Sequence, residues 1–233
     1  MVLKGRLKLI YDMIPTCDIL SDIGTDHALL PAYALLNGRC KKAIACDIRP
    51  GPLERASRTL KKYMLENSME LRLGSGLEPV GEQEADVIVM AGMGGILITR
   101  LIEESILKAK KANCILLQPM TDQELIRPFL WRQGFEIKDE RLIREGDKLY
   151  QVILVFYSGK IRNNWRSFDE IIGEKLIENK DPLLKDWLKD QIKKQKRVVL
   201  GLKTAKTDID RAQLSNSEKL LNDLLNLLDS LGG

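Results

Sequence analysis

The stretch ILSDIGTDHALLP, Ile19 to Pro31, decides how this chain reads. Ile19 and Leu20 close an apolar run of the kind that ends a buried strand. Asp22, Gly24, Asp26 and His27 follow, and Ala28 to Leu36 then reads as a helix stopping at Asn37 and Gly38. A strand that turns at a glycine into a helix lets a ligand lie close to the backbone. In open α/β sheets nucleotide-like ligands bind at that place, beyond the carboxyl end of the first strand. The dinucleotide fingerprint G-x-G-x-x-G is absent, because its later glycines would fall at Asp26 and Leu29. One glycine flanked by carboxylates suits a cationic or amine-bearing ligand better than a pyrophosphate.

Upstream, Leu3, Leu7, Ile10 and Ile14 recur at helical spacing with Lys4, Arg6 and Lys8 on the other faces, which predicts an amphipathic helix closing at Pro15. Downstream, Lys42 to Asp47 is a strand ending in an acid. Asp47 lies at roughly the 20-residue distance at which an acid accepts from a bound ribose; alternatively it caps the next helix, which Pro50 and Pro52 open and which runs to about Asn67. Strands are predicted at Met69 to Leu73, Asp86 to Met90 and Cys114 to Leu117, with helices at Ile96 to Ala109 and Thr121 to Gln133. Phe135 to Ile143 and Leu149 to Phe156 make two strands around a hairpin turn at Glu145, Gly146 and Asp147. Strands alternating with helices imply an α/β fold, a mostly parallel sheet with helices on both faces.

The 233 residues are enough for one large core, or for a domain with an appendage. With 44% apolar and 30% charged residues, the composition is that of a soluble cytosolic protein, so a cytoplasmic location is expected. No run approaches the roughly 18 apolar residues of a membrane span, and no signal-peptide core is visible at the N-terminus. Cys17, Cys40, Cys46 and Cys114 show no C-x-x-C spacing and read as buried free thiols. His27 is the only histidine, so no metal site is expected.

Several segments together carry a resemblance: SDIGTDHALLP, ACDIRPGPL (Ala45 to Leu53), GSGLEP (Gly74 to Pro79), DVIVMAGMGG (Asp86 to Gly95), LLQPM (Leu116 to Met120) and KLYQVILV (Lys148 to Val155). The D-x-G-x-D-H pattern resembles the cofactor loop of class I methyltransferases. The set as a whole is similar to the bacterial tRNA adenine-22 N1-methyltransferase family, over residues 1 to about 160. The resemblance implies a Rossmann-like seven-stranded sheet and S-adenosylmethionine as cofactor, held by Asp22, Gly24, Asp26, His27, Asp47, Ser75, Gly76, Gly92, Met93 and Gly94. Ser75 stands where many class I enzymes have an acid for the adenine amino group, so only a hydroxyl and backbone groups are offered there.

The glycine-rich run Ala91 to Gly95 narrows the chemistry. Enzymes that methylate exocyclic amines place Asp or Asn at its start, and here that position is alanine or glycine. Methylation of pyrimidine C5 needs an attacking cysteine, whereas Cys114 falls inside a buried strand. A ring nitrogen with a free lone pair, such as adenine N1, needs neither device; a plain glycine turn before a helix would look the same. Asp26, His27 and Gln118 are the candidate catalytic side chains. Each has a structural alternative: a solvated acid, a structural histidine, and a strand-end amide satisfying loop backbone. Tyr150 reads as packing rather than as a stacking platform.

After Ser158 and Gly159 strand patterns stop, which places a domain boundary between 159 and 160. Ser167 with Glu170 and Ser215 with Glu218 read as capping boxes opening helices, the first helix running from Ser167 to Asn179. Leu184, Leu188, Gln191, Gln195, Val198, Leu202, Ala205 and Ile209 follow coiled-coil spacing, as do Leu221, Leu224, Leu228 and Leu231. A coiled-coil-like helical hairpin is predicted. Net charge is only +4, yet eight basic residues crowd between Lys185 and Lys206. Lys193, Lys194, Lys196 and Arg197, together with Lys4 and Arg6 on the first helix, are the expected tRNA contacts, since structured RNA is gripped through phosphates and shape. The alternative is an ordinary solvated face.

Together with the family resemblance, which implies tRNA as substrate and position 22 as the target, the sequence reads as an S-adenosylmethionine-dependent, monomeric methyltransferase forming N1-methyladenine. Two other readings stay open: a methyltransferase with a small-molecule acceptor, and a non-catalytic RNA-binding protein that kept the fold.

Overall fold

A computed structural model describes residues 1–203 and 208–232. Ala205 and Lys206, and the side chain of Ile209, lie outside the described residues. The chain divides into two compact units, Met1–Asn163 and Asn164–Gly233.

The first unit runs α1 (Gly5–Met13), β1 (Cys17–Ile23), α2 (Leu29–Leu36), β2 (Cys40–Asp47), α3 (Pro50–Tyr63), β3 (Met69–Leu73), β4 (Val87–Gly94), α4 (Gly95–Glu104), α5 (Ile106–Lys111), β5 (Cys114–Thr121), α6 (Ile126–Arg132), β6 (Phe135–Glu145) and β7 (Lys148–Tyr157). Its seven strands form one sheet in the order β3-β2-β1-β4-β5-β7-β6. The first five are parallel, and β7 alone is reversed, pairing antiparallel with β5 and β6. The strand order turns around between β1 and β4, the crevice where such sheets bind ligands.

Strand residues alternate between two cores, because successive side chains leave a strand on opposite faces. Leu20, Ala43, Ala45, Val87, Val89 and Leu116 pack under the first three helices through Ile10, Ala32, Ala56 and Leu60. On the other face, Ile23, Ile44, Ile88, Met90, Ile115 and Ile153 meet Ile98, Ile102 and Leu130 of α4 and α6. A buried Arg127–Glu140 pair, with Nε 2.9 Å from Oε1, ties α6 to β6, and Gln151 donates to the same carboxylate oxygen at 3.1 Å.

Four elements differ from their sequence patterns. The third helix stops at Tyr63 rather than Asn67, because Met64 takes a left-handed conformation (φ 54°). Ile96 to Ala109 is two helices, broken where Ser105 leaves helical geometry. The Thr121 to Gln133 helix starts late: β5 runs on to Thr121, Asp122 turns left-handed, and a short 3-10 turn at Gln123–Leu125 precedes α6. Most consequential is β4, which continues through Ala91, Gly92, Met93 and Gly94, a run read as a loop. It stays paired to β5 there, with register shifts either side of Met93. Glycines admit the irregular dihedrals of a bulge.

The second unit consists of α7 (Ser167–Ile171), α8 (Glu174–Glu178), α9 (Leu184–Lys203) and α10 (Asp208–Ser230). Ser167 to Asn179 is thus two short helices parted at Ile172 and Gly173. The cap is one residue earlier than predicted: the Asp169 carboxylate accepts from the Arg166 N–H at 2.9 Å. Ser215 opens no helix, since α10 is already under way. In α9 the buried stripe takes in Trp187, Ile192 and Val199, and Val198 is instead exposed. Leu224 is fully buried on α10, while Leu231 is exposed. Among the described residues no helix is long and apolar enough to cross a membrane.

Candidate active site

The connection from β1 to α2 is held by its own backbone. The N–H groups of Gly24 and Thr25 both donate to the Cys46 carbonyl, each at 2.8 Å, which hooks the loop over the end of β2. Gly24 has φ +76°, a conformation side chains rarely adopt. The Thr25 hydroxyl accepts from the Ala28 N–H at 3.1 Å and so shapes the entry to α2. Asp22 is buried, and burial pushes its carboxyl up to about 6, with the negative charge of nearby Asp47 adding to the effect. Asp47 accepts from the Arg49 N–H at 2.8 Å, so it caps the turn into α3 as well as ending β2.

The β4–α4 connection is organised by Gln118. Its side-chain oxygen accepts from the Gly92 N–H at 3.1 Å, and its amide nitrogen donates to the Pro119 carbonyl at 3.0 Å. The amide thereby clamps the β4 bulge to β5. The two glycines of the bulge, Gly92 and Gly94, and Gly95 at the start of α4 differ in what surrounds them. Gly92 has φ +75° and open space where a Cβ would stand. A Cβ on Gly94 would lie 3.0 Å from the Thr121 hydroxyl, and one on Gly95 only 2.1 Å from the Asp122 carbonyl oxygen. Gly92 faces the crevice, whereas Gly94 and Gly95 serve close packing. The Met93 methyl lies over Gly24, 2.2 Å from where a Cβ would be.

Between these two connections lies a cavity of about 320 Å³. It brings together Asp22, Gly24, Asp26, His27, Gly92 and Gln118 from the strand ends with Lys4 and Arg6 from the start of α1. Asp47, Met93 and Gly94 stand outside its lining. Ser75 lines a different cavity of about 530 Å³, beside α4 and α5. A Cβ on Gly76 would meet the Leu101 side chain at 2.8 Å. Lys193, Lys194, Lys196 and Arg197 are exposed on α9 in the second unit.

Three residues of the site escaped the sequence pattern. Arg55, in α3, donates from Nε to an Asp26 oxygen at 2.9 Å and from Nη2 to the same oxygen. Glu145 ends β6 instead of forming part of the turn and pairs with Arg6. Thr25 shapes the first loop. Nothing in the spacing of Arg55 or Glu145 marks them; each is brought in by a separate element. The Arg6 guanidinium also stacks 4.5 Å above the ring of the buried Tyr150. His27 Nε2 lies 3.3 Å from Asp26.

Chemically the cavity offers a buried acid, two left-handed glycines with accessible backbone and a fixed carboxamide. None of the four cysteines lines it. The Asp26 and Glu145 carboxylates are engaged by arginines, and the Gln118 oxygen by backbone. Among the described residues no cluster of His, Cys, Asp and Glu side chains has the makings of a metal site.

Residues 3–153 match the family model described as a methyltransferase domain. The chain is 38% identical over 152 residues to the tRNA (adenine(22)-N(1))-methyltransferase of Bacillus subtilis, an alignment that spans 65% of this chain and 64% of that protein's length. The crystal structure of the B. subtilis m1A22 tRNA methyltransferase TrmK superposes with a TM-score of 0.85 at 29% identity, covering 96% of this chain and 98% of that one. A Streptococcus pneumoniae protein, a putative tRNA (m1A22) methyltransferase in complex with S-adenosyl-L-methionine, gives 0.80 at 28% identity, covering 95% and 100%. With more than half of its length matched and the crevice at the strand-order reversal occupied by the D-x-G-x-D-H loop, the chain belongs to the methyltransferase-domain family.

Proposed function

We propose that this protein is an S-adenosylmethionine-dependent tRNA methyltransferase that forms N1-methyladenine at position 22. The observation that carries the reading is the lining of the cavity: it has no cysteine, and apart from the buried Asp22 its side-chain acceptors Asp26, Glu145 and Gln118 are already engaged, in a chain whose named relatives methylate adenine 22 of tRNA. Such a lining suits a nucleophile that brings its own lone pair.

The residues present fit the cofactor. Gly24 exposes its backbone at the end of β1, where the neighbour a Cβ would meet is the terminal methyl of the flexible Met93 side chain. Asp22 and Asp47, at neighbouring strand ends, are matched to an ammonium group and to ribose hydroxyls. A cationic amine against Asp22 would restore the charge that burial disfavours. S-adenosylmethionine, when bound, supplies an activated methyl group. The protein's own part is to position adenine N1 and exclude water, between the first loop, Gly92 and Gln118. The base must leave the tRNA core to reach the cavity. The chain works as a cytoplasmic monomer without a metal in this reading.

Residues 160 to 233 serve as the tRNA-binding part. On α9, Lys193, Lys194, Lys196 and Arg197 span an arc of about 160° at 3.6 residues per turn, opposite the buried Gln191, Gln195 and Val199. Replacing all four by glutamine should weaken tRNA binding and flatten its salt dependence by about 0.7–0.9 in slope for each phosphate no longer neutralised, with cofactor affinity unchanged. A wild-type slope would make the run a solvated face.

Incubation with S-adenosylmethionine and an unmodified tRNA transcript, followed by nucleoside analysis, tests the whole reading. N1-methyladenosine is expected from a transcript with A22 and none from one with G22. Methylation of another atom, or equal yield from both transcripts, would overturn it.

A further inference from the structure

Methylation at N1 leaves adenine cationic, and Asp26 is the carboxylate at the lip of the cavity with its side chain most open to solvent. As it stands that charge is already neutralised, because Arg55 reaches across from α3 and places two donors on one Asp26 oxygen. The two arginines near the cavity are held very differently. Arg6 is fixed by the Glu145 carboxylate, by the Met120 sulfur at 2.7 Å and by the Tyr150 ring. Arg55 has Asp26 and, among the described residues, no second charged partner. Its side chain is 39% exposed and that of Asp26 63%, so the pair is half-solvated, and such pairs are weak enough to change partner.

An RNA strand entering the cavity brings phosphates past this lip. A bare carboxylate would repel them, whereas a guanidinium donates to a phosphate in the same forked geometry as to a carboxylate. We propose that Arg55 is a positioning residue that exchanges partners: it holds Asp26 in the free protein and moves to a backbone phosphate of the RNA as the target nucleotide enters. Asp26 is thereby left charged beside the base that becomes cationic. One ion pair thus keeps the lip neutral before binding and makes the acid available only with substrate in place. The inference rests on the RNA-methylating reading above.

The test uses the full chain with Arg55→Ala, Arg55→Lys, Asp26→Asn and the Asp26→Asn/Arg55→Ala double variant. Three quantities are measured: affinity for S-adenosylhomocysteine, tRNA affinity as a function of salt, and single-turnover methylation. Arg55→Ala should bind S-adenosylhomocysteine as wild type does, while its tRNA salt slope falls by about 0.7–0.9, the share of one phosphate. Arg55→Lys should keep the slope. Asp26→Asn should bind tRNA more tightly than wild type, since it releases Arg55, yet transfer the methyl group more slowly; adding Arg55→Ala should abolish that tightening. If Arg55→Ala keeps the wild-type slope, or Asp26→Asn gains no affinity for tRNA, the exchange does not occur. A wild-type chain that neither binds S-adenosylhomocysteine nor yields N1-methyladenosine removes the functional reading and this proposal with it. An active wild type with an unchanged Arg55→Ala slope removes the proposal alone.

Discussion

Between β1 and α2 the chain offers side chains to the cavity, Asp22, Asp26 and His27, on a loop whose own backbone is tied to the Cys46 carbonyl. At the end of β4, where α4 follows directly, it offers backbone, Ala91 and Gly92, on a bulged strand fixed from outside by the Gln118 amide. The first connection is chemically loaded and adjoins a buried acid, Asp22, whose carboxyl is held above its usual range. The second carries no charge and depends on how closely two backbones pass. Substitutions should therefore fail differently on the two sides: through packing at the β4 connection, through electrostatics at the β1 connection.

The largest effect is expected at Gly95. A valine there would drive its Cβ to 2.1 Å from the Asp122 carbonyl oxygen, a backbone atom that cannot swing aside. Gly95→Val should cost about 3 kcal/mol in urea-induced unfolding. A wild-type midpoint would mean that the two backbones are not packed as described.

Asp22 should show the opposite sign. Its carboxyl is raised from 3.8 to about 6, so the folded chain binds this proton more tightly than the unfolded chain does. The acid's cost is absent below pH 3.8, grows as pH rises and is complete above about 6. Asp22→Asn should accordingly stabilise the free protein by about 2–3 kcal/mol at neutral pH, a shift of roughly two pKa steps at 1.36 kcal/mol each. The gain should vanish toward pH 4, and cofactor affinity should collapse. Thermal melts across that range check it; a pH-independent ΔTm would show that burial of this charge is not what the fold pays for.

Gln118→Ala should be milder. It strips the Gly92 N–H of its acceptor, but Gly92 is exposed and water can replace the amide, so about 1 kcal/mol is expected, the low end for a lost hydrogen bond. A loss as large as that at Gly95 would mean that the amide, rather than close backbone packing, holds the bulge.

The same division explains what could be read from the sequence. The β1 connection was legible because its features are residue types at fixed spacing: an apolar run, then D-x-G-x-D-H, then an apolar helix. Periodicity likewise showed the strands and most helices, and thereby the doubly covered sheet. The β4 connection was misread as a loop because three glycines in four residues carry a turn signal, whereas their strand character comes from pairing with β5, a long-range fact. Arg55 and Glu145 were missed for a related reason. Each joins the site through an ion pair to a residue far along the chain, Asp26 and Arg6 respectively, and no local pattern encodes such a partner. Conversely, Ser75, Gly76 and Gly94 came from the family resemblance; in this structure Ser75 lines a separate cavity, and a Cβ on Gly76 or Gly94 would meet a neighbouring side chain.

The central claim is that both connections, unlike as they are, present one ligand-binding surface through the backbone of Gly24 and Gly92. Titration calorimetry with S-adenosylhomocysteine on wild type, Gly24→Ala and Gly92→Ala tests it most directly. Each alanine must hold a left-handed conformation, at about 1–2 kcal/mol, and on Gly24 it meets only the mobile end of Met93, so both variants should fold. Loss of binding in both, with melting temperatures only modestly lowered, is the result predicted. Wild-type affinity in either variant would contradict it and place the ligand elsewhere.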